Sequence, residues 1–470
     1  MLDSLLIAVM LLGNFSSSGE MPFWSQANTG GLMPSYVGAG MGSYGLTIQT
    51  GYQPLGPLEY RVGATEWQND LFNRYSNPIP DEFYAGLRWK RLSLDVGFKR
   101  RDQEFVANRY LGSLSATGGH MAWSGNARTM PGYTLELQPV KVPFTGGIFW
   151  LEGAYGDYWT IDQRYVQGAM LHRTQFNFVF KFSSRLTFRL GLDHYAFWGG
   201  ESRDPAVGKQ PATLSDYFRV ITGRRGSSAN PDQDQAYVQG NQLGSELWRF
   251  DWKGDGWKVV FQHDIPYEDG SGMGFQNFPD GVNTLWFGFD NKDRWVSDIL
   301  YEYHHTMSQS GPVHDAMMGK EDVIIGGRDN YFNHAVYQSG WTHFARTIGN
   351  PLLYPAHTER LTSGDDPIAR GVRTNRLKAH HFALGGKLFR VAPYKLMLTY
   401  STNYGTYDAP LHEDETGDSQ FSGALEGEVP IPIRWEVLKG FSVTYGLYLD
   451  HGSVYSNGFG SRIGIRINFY

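Results

Sequence analysis

Along most of the chain apolar and polar residues alternate with a period of two, the spacing of a strand whose two faces meet different surroundings. Leu92, Leu94, Val96 and Phe98 alternate with Ser93, Asp95, Gly97 and Lys99. Phe176, Phe178, Phe180 and Phe182 alternate with Asn177, Val179 and Lys181. The same pattern runs through Leu186–Asp193 and Tyr394–Tyr400, and through Ile463, Ile465, Ile467 and Phe469 at the end of the chain. Trp89, Tyr133, Trp257, Tyr301 and Tyr303 stand near strand ends, as the aromatic girdles of a membrane barrel would. About seventeen strands can be marked from residue 44 on, and a first strand near 33–41 makes the number even, about 18.

The connections distinguish a barrel from a soluble sandwich. Short turns are expected at Lys90-Arg91, Ser183-Ser184, Gly254-Asp255, Asn291-Lys292-Asp293 and Val391-Ala392-Pro393. Long excursions lie between them, at 101–130, 157–169, 196–243, 265–281, 305–375 and 405–419. Outer-membrane barrels separate short periplasmic turns from long extracellular loops, and a sandwich has no reason to do so. The pattern therefore predicts an all-β fold, a transmembrane antiparallel barrel of the bacterial outer membrane. Short helices in the loops would plug its mouth. The final strand would run inward and leave Tyr470 in the periplasm. Inward positions carry both signs (Arg88, Asp95, Lys99, Glu152, Lys181, Arg189, Asp193, Lys258, Glu302), which predicts a hydrated lumen crossed by ion pairs rather than a single-sign selectivity ring.

Composition sharpens this picture. The chain has 58 Gly, 28 Tyr, 29 Phe and 14 Trp among 470 residues, yet its mean hydropathy is −0.40. Abundant aromatics on a polar average suit an apolar outer face around a wet interior. A net charge of −6 argues against nucleic acid as a partner. The absence of Cys excludes a disulfide framework. Leu5–Leu12 is an apolar run followed by small and polar residues, so 1–18 reads as a signal peptide whose basic n-region is truncated. The mature barrel would then be a single domain over 19–470, with 196–243 and 305–375 as plug loops.

Several loop segments resemble the capsule assembly protein Wzi family of outer-membrane barrels, in the versions found in the Bacteroidetes. They are Ser124–Arg128, His194–Gly200, Asn241–Ser245 and Glu268–Gly272, and the run from Asp329–His334 through Tyr337–Trp341 to Ile348–Pro351. The resemblance implies an 18-stranded barrel partly closed by extracellular helices. The role it implies is retaining or organising capsular polysaccharide at the cell surface. Implied partners are a capsular or other surface polysaccharide, outer-membrane lipid and other outer-membrane proteins. The chain departs from the enterobacterial pattern in showing no long helical segment before its first strand.

Loop 305–375 is too long for a structureless connection and should fold over or into the mouth. In it, Tyr331, Tyr337 and Trp341 offer faces for stacking on sugar rings, and Asp329, Asn330, Asn333 and Gln338 offer partners for hydroxyls. The alternative is that these residues simply pack the loop as a plug. Catalysis finds little support. His304-His305 and His380-His381 place neighbours on opposite faces of a strand, as do Asp193-His194 and Asp450-His451, so none forms a local metal pair or dyad. The acidic run His412–Asp418 lacks a recognised calcium-ligand spacing and reads as a solvated loop. No cofactor or metal is expected. Three function classes follow: a polysaccharide-binding assembly factor, a diffusion porin and a barrel enzyme.

Overall fold

Period-two alternation becomes a closed antiparallel wall of 18 strands. The computed structural model describes residues 5–69, 79–108, 111–228, 230, 238–311, 314–315, 324–354, 357–359, 368–432 and 440–469. The first nine wall strands are β1 (Leu5–Ser16), β2 (Met41–Thr50), β3 (Leu58–Asn69), β4 (Ile79–Trp89), β5 (Leu92–Phe98), β6 (Pro131–Lys141), β7 (Phe149–Trp159), β8 (Met170–Lys181) and β9 (Leu186–Trp198). The rest are β10 (Asn241–Gly254), β11 (Trp257–Tyr267), β12 (Gly281–Phe289), β13 (Asp298–His305), β14 (Leu377–Leu388), β15 (Ala392–Asn403), β16 (Asp418–Pro430), β17 (Gly440–Gly452) and β18 (Gly458–Phe469). Each strand pairs with its chain neighbours, and β1 joins β18 on one side and β2 on the other, so no edge is left open. Tyr470 lies outside the described residues.

Connections of 51–57, 90–91, 142–148, 182–185, 255–256, 290–297 and 389–391 share one end of the barrel. Those at 17–40, 99–130, 160–169, 199–240, 268–280, 306–376, 404–417 and 453–457 share the other. Phe176, Phe178, Leu190, Trp248, Phe250 and Ile463 are exposed on the outer face. A closed wall with an apolar exterior satisfies every wall backbone group and suits lipid. The protein is an outer-membrane β-barrel, its long connections extracellular.

The inward face carries ion pairs between strands: Arg61–Asp95 (2.5 Å), Arg88–Glu59 (2.6 Å), Arg189–Glu152 (2.8 Å), Lys395–Glu426 (2.9 Å), Arg466–Glu428 (2.6 Å) and Lys258–Asp251. Both signs alternate around the lumen, as the sequence predicts.

Two expectations about the N-terminus need correction. The apolar run read as a leader is wall strand β1, in register with β18 from Ile7 opposite Phe469 to Ser16 opposite Gly460. Residues 33–41 do not form the first strand. Both errors have one cause. Leu11 and Phe15 face outward, while Leu12 packs inside against Leu32, Met33 and Trp67. Because β1 is apolar on both faces, its alternation disappears, and such a run cannot be told from a leader by periodicity.

The plug is also distributed differently from the expectation. Segment 99–130, expected as a long excursion but not as a plug, descends into the lumen, where Leu114, Ala116 and Met121 are fully buried. It meets segment 17–40, whose short helix α1 (Phe23–Gln26) packs Phe23 on Tyr455, and segment 327–354 of the longest loop. Loop 199–240 fills less of the lumen than expected: among its described residues Val207 packs against the plug core, but the loop's helix lies elsewhere. Its helix α2 (Leu214–Ile221) packs on the exterior of the wall, because Tyr217 and Val220 meet Trp198 and Ala196, which share the outward parity of Leu186 and Leu190. A four-residue helix, Gly270–Met273, completes the helices among the described residues. Irregular backbone, more than helix, closes the mouth.

Candidate functional site at the extracellular mouth

Irregular backbone can enter a barrel only if its N–H groups find acceptors. Carboxylates on and just beyond the wall strands supply them. Glu302 on β13 accepts from the Ala116 N–H (2.9 Å), Ser115 Oγ (2.6 Å) and Thr284 Oγ1 (3.1 Å). Asp264 on β11 accepts from the Met121 N–H (2.7 Å). Asp280 accepts from the N–H groups of Ser308 (2.8 Å) and Gln309 (2.6 Å), and from Tyr331 OH (3.1 Å). Glu268 accepts from the N–H groups of Asn330 (3.0 Å) and Phe332 (3.2 Å). Burial, reinforced by the neighbouring Asp329, pushes the Glu268 carboxyl well above the usual carboxylate range.

Against these anchors the predicted sugar platforms turn inward. Tyr331 and Trp341 are 0% exposed and Tyr337 is 2% exposed. Trp341 donates from Nε1 to the Ala122 carbonyl (2.6 Å), and its ring meets Phe197 edge-on at 5.0 Å. Tyr337 OH donates to the Gly199 carbonyl (3.2 Å). With their faces covered by protein, these rings pack the plug and do not stand where a sugar could stack. Asp329 is buried and accepts from Ser310 Oγ (2.6 Å). Asn330 and Asn333 are half-buried and bonded to each other (2.9 Å), with Asn333 Oδ1 also accepting from the Val372 N–H (2.7 Å). Gln338 is half-buried. At Gly340 (φ +62°) the chain turns so tightly that a Cβ would lie 2.1 Å from the Phe332 carbonyl oxygen.

The accessible chemistry lies beside that segment. A cavity of about 880 Å³ opens among loops of the extracellular end, lined by Tyr36, Phe344, Tyr354 and Tyr455 and by Arg128, Arg346 and Arg373, with Glu20 and Asp450. Tyr36 is 64% exposed. Tyr354 meets Tyr455 edge-on with ring centres 4.1 Å apart. Arg128 lies over the Phe344 ring at 4.2 Å, and Arg346 donates to Gln26 Oε1 (2.7 Å). Enclosure in the plug pushes Arg346 below the ordinary guanidinium range, and nearby Arg128 adds to that while Tyr354 opposes it. A second cavity of about 650 Å³ continues toward the lumen and shares Ala27 and Arg128 with the first.

Sequence reading missed Asp264, Glu268, Asp280 and Arg346. For Asp264 a signal existed, since it shares the inward parity of Val260 and Gln262 on β11. For Arg346 none did, because its neighbours Gln26 and Arg128 come from distant loops.

The histidine pairs separate as their parity requires. His304 is buried beside Glu302 (3.3 Å), whereas His305 reaches Asp280 (2.9 Å). His381 bonds Thr399 Oγ1 inside, whereas His380 bonds Tyr301 OH on the outer face. Among the described residues no cluster of three or more acidic or histidine side chains is arranged to hold a metal ion. In the acidic loop, Asp414 is engaged by Thr416 and Asp418 by His412 (3.0 Å).

No family model matches the chain, and no curated protein matches it in sequence. Among solved structures it is similar to Wzi of Escherichia coli, an outer membrane protein involved in group 1 capsule assembly and a carbohydrate-binding β-barrel. The identity is 14% and the TM-score 0.58, over 98% of this chain and 84% of that one. It is also similar to OpdK and OpdL of Pseudomonas aeruginosa, at 10% and 11% identity with TM-scores of 0.48 and 0.47. These alignments cover 99% and 100% of this chain, and 98% and 99% of those. At such identities the likeness is one of fold.

Proposed function

We propose that this barrel binds a surface polysaccharide bearing acidic groups at its extracellular mouth, as a capsule assembly or attachment protein. The observation that carries the reading is the mouth cavity, where five aromatic rings (Phe23, Tyr36, Phe344, Tyr354 and Tyr455) and three arginines line one space. Sugar rings present C–H faces to aromatic platforms, and carboxylates or sulfates pair with guanidinium forks. The carbohydrate-binding description of the E. coli Wzi barrel, which shares this fold, supports the same reading. The segment Asp329–Trp341 lines neither cavity and acts instead by packing the plug core behind them, so Asn330, Asn333 and Gln338 are not among the proposed contacts. The test is binding of the organism's own surface polysaccharide by detergent-purified protein. Tyr36→Ala and Arg346→Gln should each weaken it about tenfold, in line with losses of one to a few kcal/mol for central contacts. Unchanged binding in both variants would remove the cavity from consideration. Absence of glycan binding by the unmodified protein would overturn the reading itself.

One observation favours a second reading, a diffusion channel: the mouth cavity and the inner cavity share Ala27 and Arg128. Steady porin-like conductance in planar bilayers would establish it.

A further inference from the structure

The outer surface of the wall carries a polar cluster where lipid contact would be expected. Tyr133, Asp157, His172 and His194 share the outward parity of Leu135, Leu151, Phe176 and Leu190 on their strands, and the registers among β7, β8 and β9 run without a shift. His172 bonds Asp157 Oδ1 through Nδ1 (2.9 Å) and Thr174 Oγ1 through Nε2 (2.7 Å). Tyr133 OH donates to Asp157 Oδ2. A carboxylate and imidazoles facing hydrocarbon are costly unless covered. Helix α2 covers them.

Thr213 and Asp216 form a reciprocal capping box that starts α2, with the Thr213 N–H donating to Asp216 Oδ2 (2.9 Å). Tyr217 OH then completes the cluster by donating to Asp157 Oδ2 (2.8 Å), and its ring packs on Trp198. Gln242 ties the helix end to the wall through the Val220 carbonyl (3.2 Å). Bound this way, α2 leaves Leu214 and Phe218 71% and 56% exposed, one helical turn apart on its free side. Trp159, at the extracellular end of β7, is exposed beside the same belt. Apolar exposure here continues the lipid-facing wall rather than interrupting a wet surface. Immediately after, the chain carries Arg219, Arg224 and Arg225, with Arg224 and Arg225 exposed. Arg219 Nη1 donates to the Arg225 carbonyl (3.2 Å) and the Arg224 N–H to the Arg219 carbonyl (2.9 Å), which gathers the three at the helix C-terminus. None forms an ion pair among the described residues.

We propose that α2 and these arginines form an external binding site for a phosphorylated lipid of the outer leaflet, with Leu214 and Phe218 seated among acyl chains and Arg224 and Arg225 on the headgroup phosphates. The site faces lipid at the level of the upper aromatic girdle, where headgroup and acyl chain meet. Charge sign selects an anionic headgroup, and the guanidinium forks fit phosphate oxygens. The site is separate from the mouth cavity and does not depend on its glycan.

Native mass spectrometry of the full barrel in neutral detergent, titrated with bis-phosphorylated lipid A, tests this. Arg224→Gln combined with Arg225→Gln should reduce lipid A affinity about tenfold or more, given typical gains for arginines at an anionic membrane surface. Phe218→Ser should weaken it independently, and dephosphorylated lipid A should bind the unmodified protein as weakly as lipid A binds the double variant. Inorganic phosphate alone should not compete at millimolar concentration, because it lacks the chains. The heat-shifted gel band should persist in every variant, which separates loss of the site from loss of the fold. Equal affinity in the double variant, or indifference to the phosphates, would overturn the proposal. So would a change of oligomeric state on Phe218→Ser without any change in lipid binding, which would mark the face as a contact between copies.

Discussion

At the scale of single residues, the plug is held by carboxylates that accept backbone N–H groups rather than by apolar contact alone. Glu302 is 0% exposed and serves Ser115, Ala116 and Thr284 together. Glu302→Ala would strand those donors in a dry site, at about 1–3 kcal/mol for each buried group left without a partner. The expected outcome is faster hydrogen exchange across 111–122 with the barrel's heat-shifted band intact. His343 adds a pH dependence. Its ring is fully buried, donating from Nδ1 to the Arg128 carbonyl (3.0 Å) and accepting at Nε2 from the Ile161 N–H (3.4 Å), so a second ring proton would remove an acceptor. Burial, despite nearby Asp162, lowers it to about 4. In the opened loop it titrates near 6.5, so between about 6.5 and 4 the open form binds a proton that the packed form does not. Plug stability is therefore complete above pH 6.5 and falls as the pH drops toward 4. Hydrogen exchange of residues 327–354 should accelerate across that window, and His343→Gln should weaken the dependence, leaving the share of His334, which burial also lowers to about 4.

At the scale of elements, β1 is the strand on which closure depends. It pairs along ten positions with β2 and ten with β18, and without it both neighbours become open edges. Deleting residues 5–16 should abolish the heat-modifiable species altogether, whereas shortening loop 404–417 should leave it in place. A deletion variant that still shows the shifted band would mean that β2 and β18 pair directly. The two faces of β1 also respond differently to substitution. Leu11→Lys introduces a charge on the lipid side, costing up to about 2–4 kcal/mol depending on depth. Leu12→Ala opens a gap beside Trp67 and Met33 and loosens the plug instead.

At the scale of the whole molecule, three loop segments from different parts of the chain fill one lumen. Their shared core joins Met121, Tyr331, Trp341, Phe197 and Trp24. An aqueous porin of this strand number leaves a channel, and this barrel spends that space on packing. Planar bilayers should therefore show little steady conductance for the unmodified protein. Trp341→Ala removes a fully buried indole from the middle of the plug, a loss of roughly 3–5 kcal/mol in a packed core. Frequent open events should then appear. If Trp341→Ala stays as quiet as the parent, segment 99–130 blocks the lumen by itself.

The wall was legible from sequence because most of its strands set lipid on one face against polar side chains on the other, so local alternation reports global position. Ile463 and Ile465 outside and Arg462 and Arg466 inside needed no knowledge of any other strand. The alternation of turn and loop lengths did the same for topology. Legibility ended where a segment meets protein on both sides. Leu5–Ser16 looked like a leader, since its inner face packs on Leu32 and Met33 instead of water. Tyr331 and Trp341 looked like sugar platforms, since composition cannot tell a ring that stacks on a ligand from one that stacks on Phe197. The placement of α2 outside the wall depends on contacts of Tyr217 with Trp198 and Asp157 on two wall strands, and the meeting of Tyr36, Arg128 and Arg346 at one cavity joins loops far apart in the chain. Periodicity carries information about a residue's own strand and solvent; which loop reaches which partner is decided only when the barrel closes and brings their ends to one mouth.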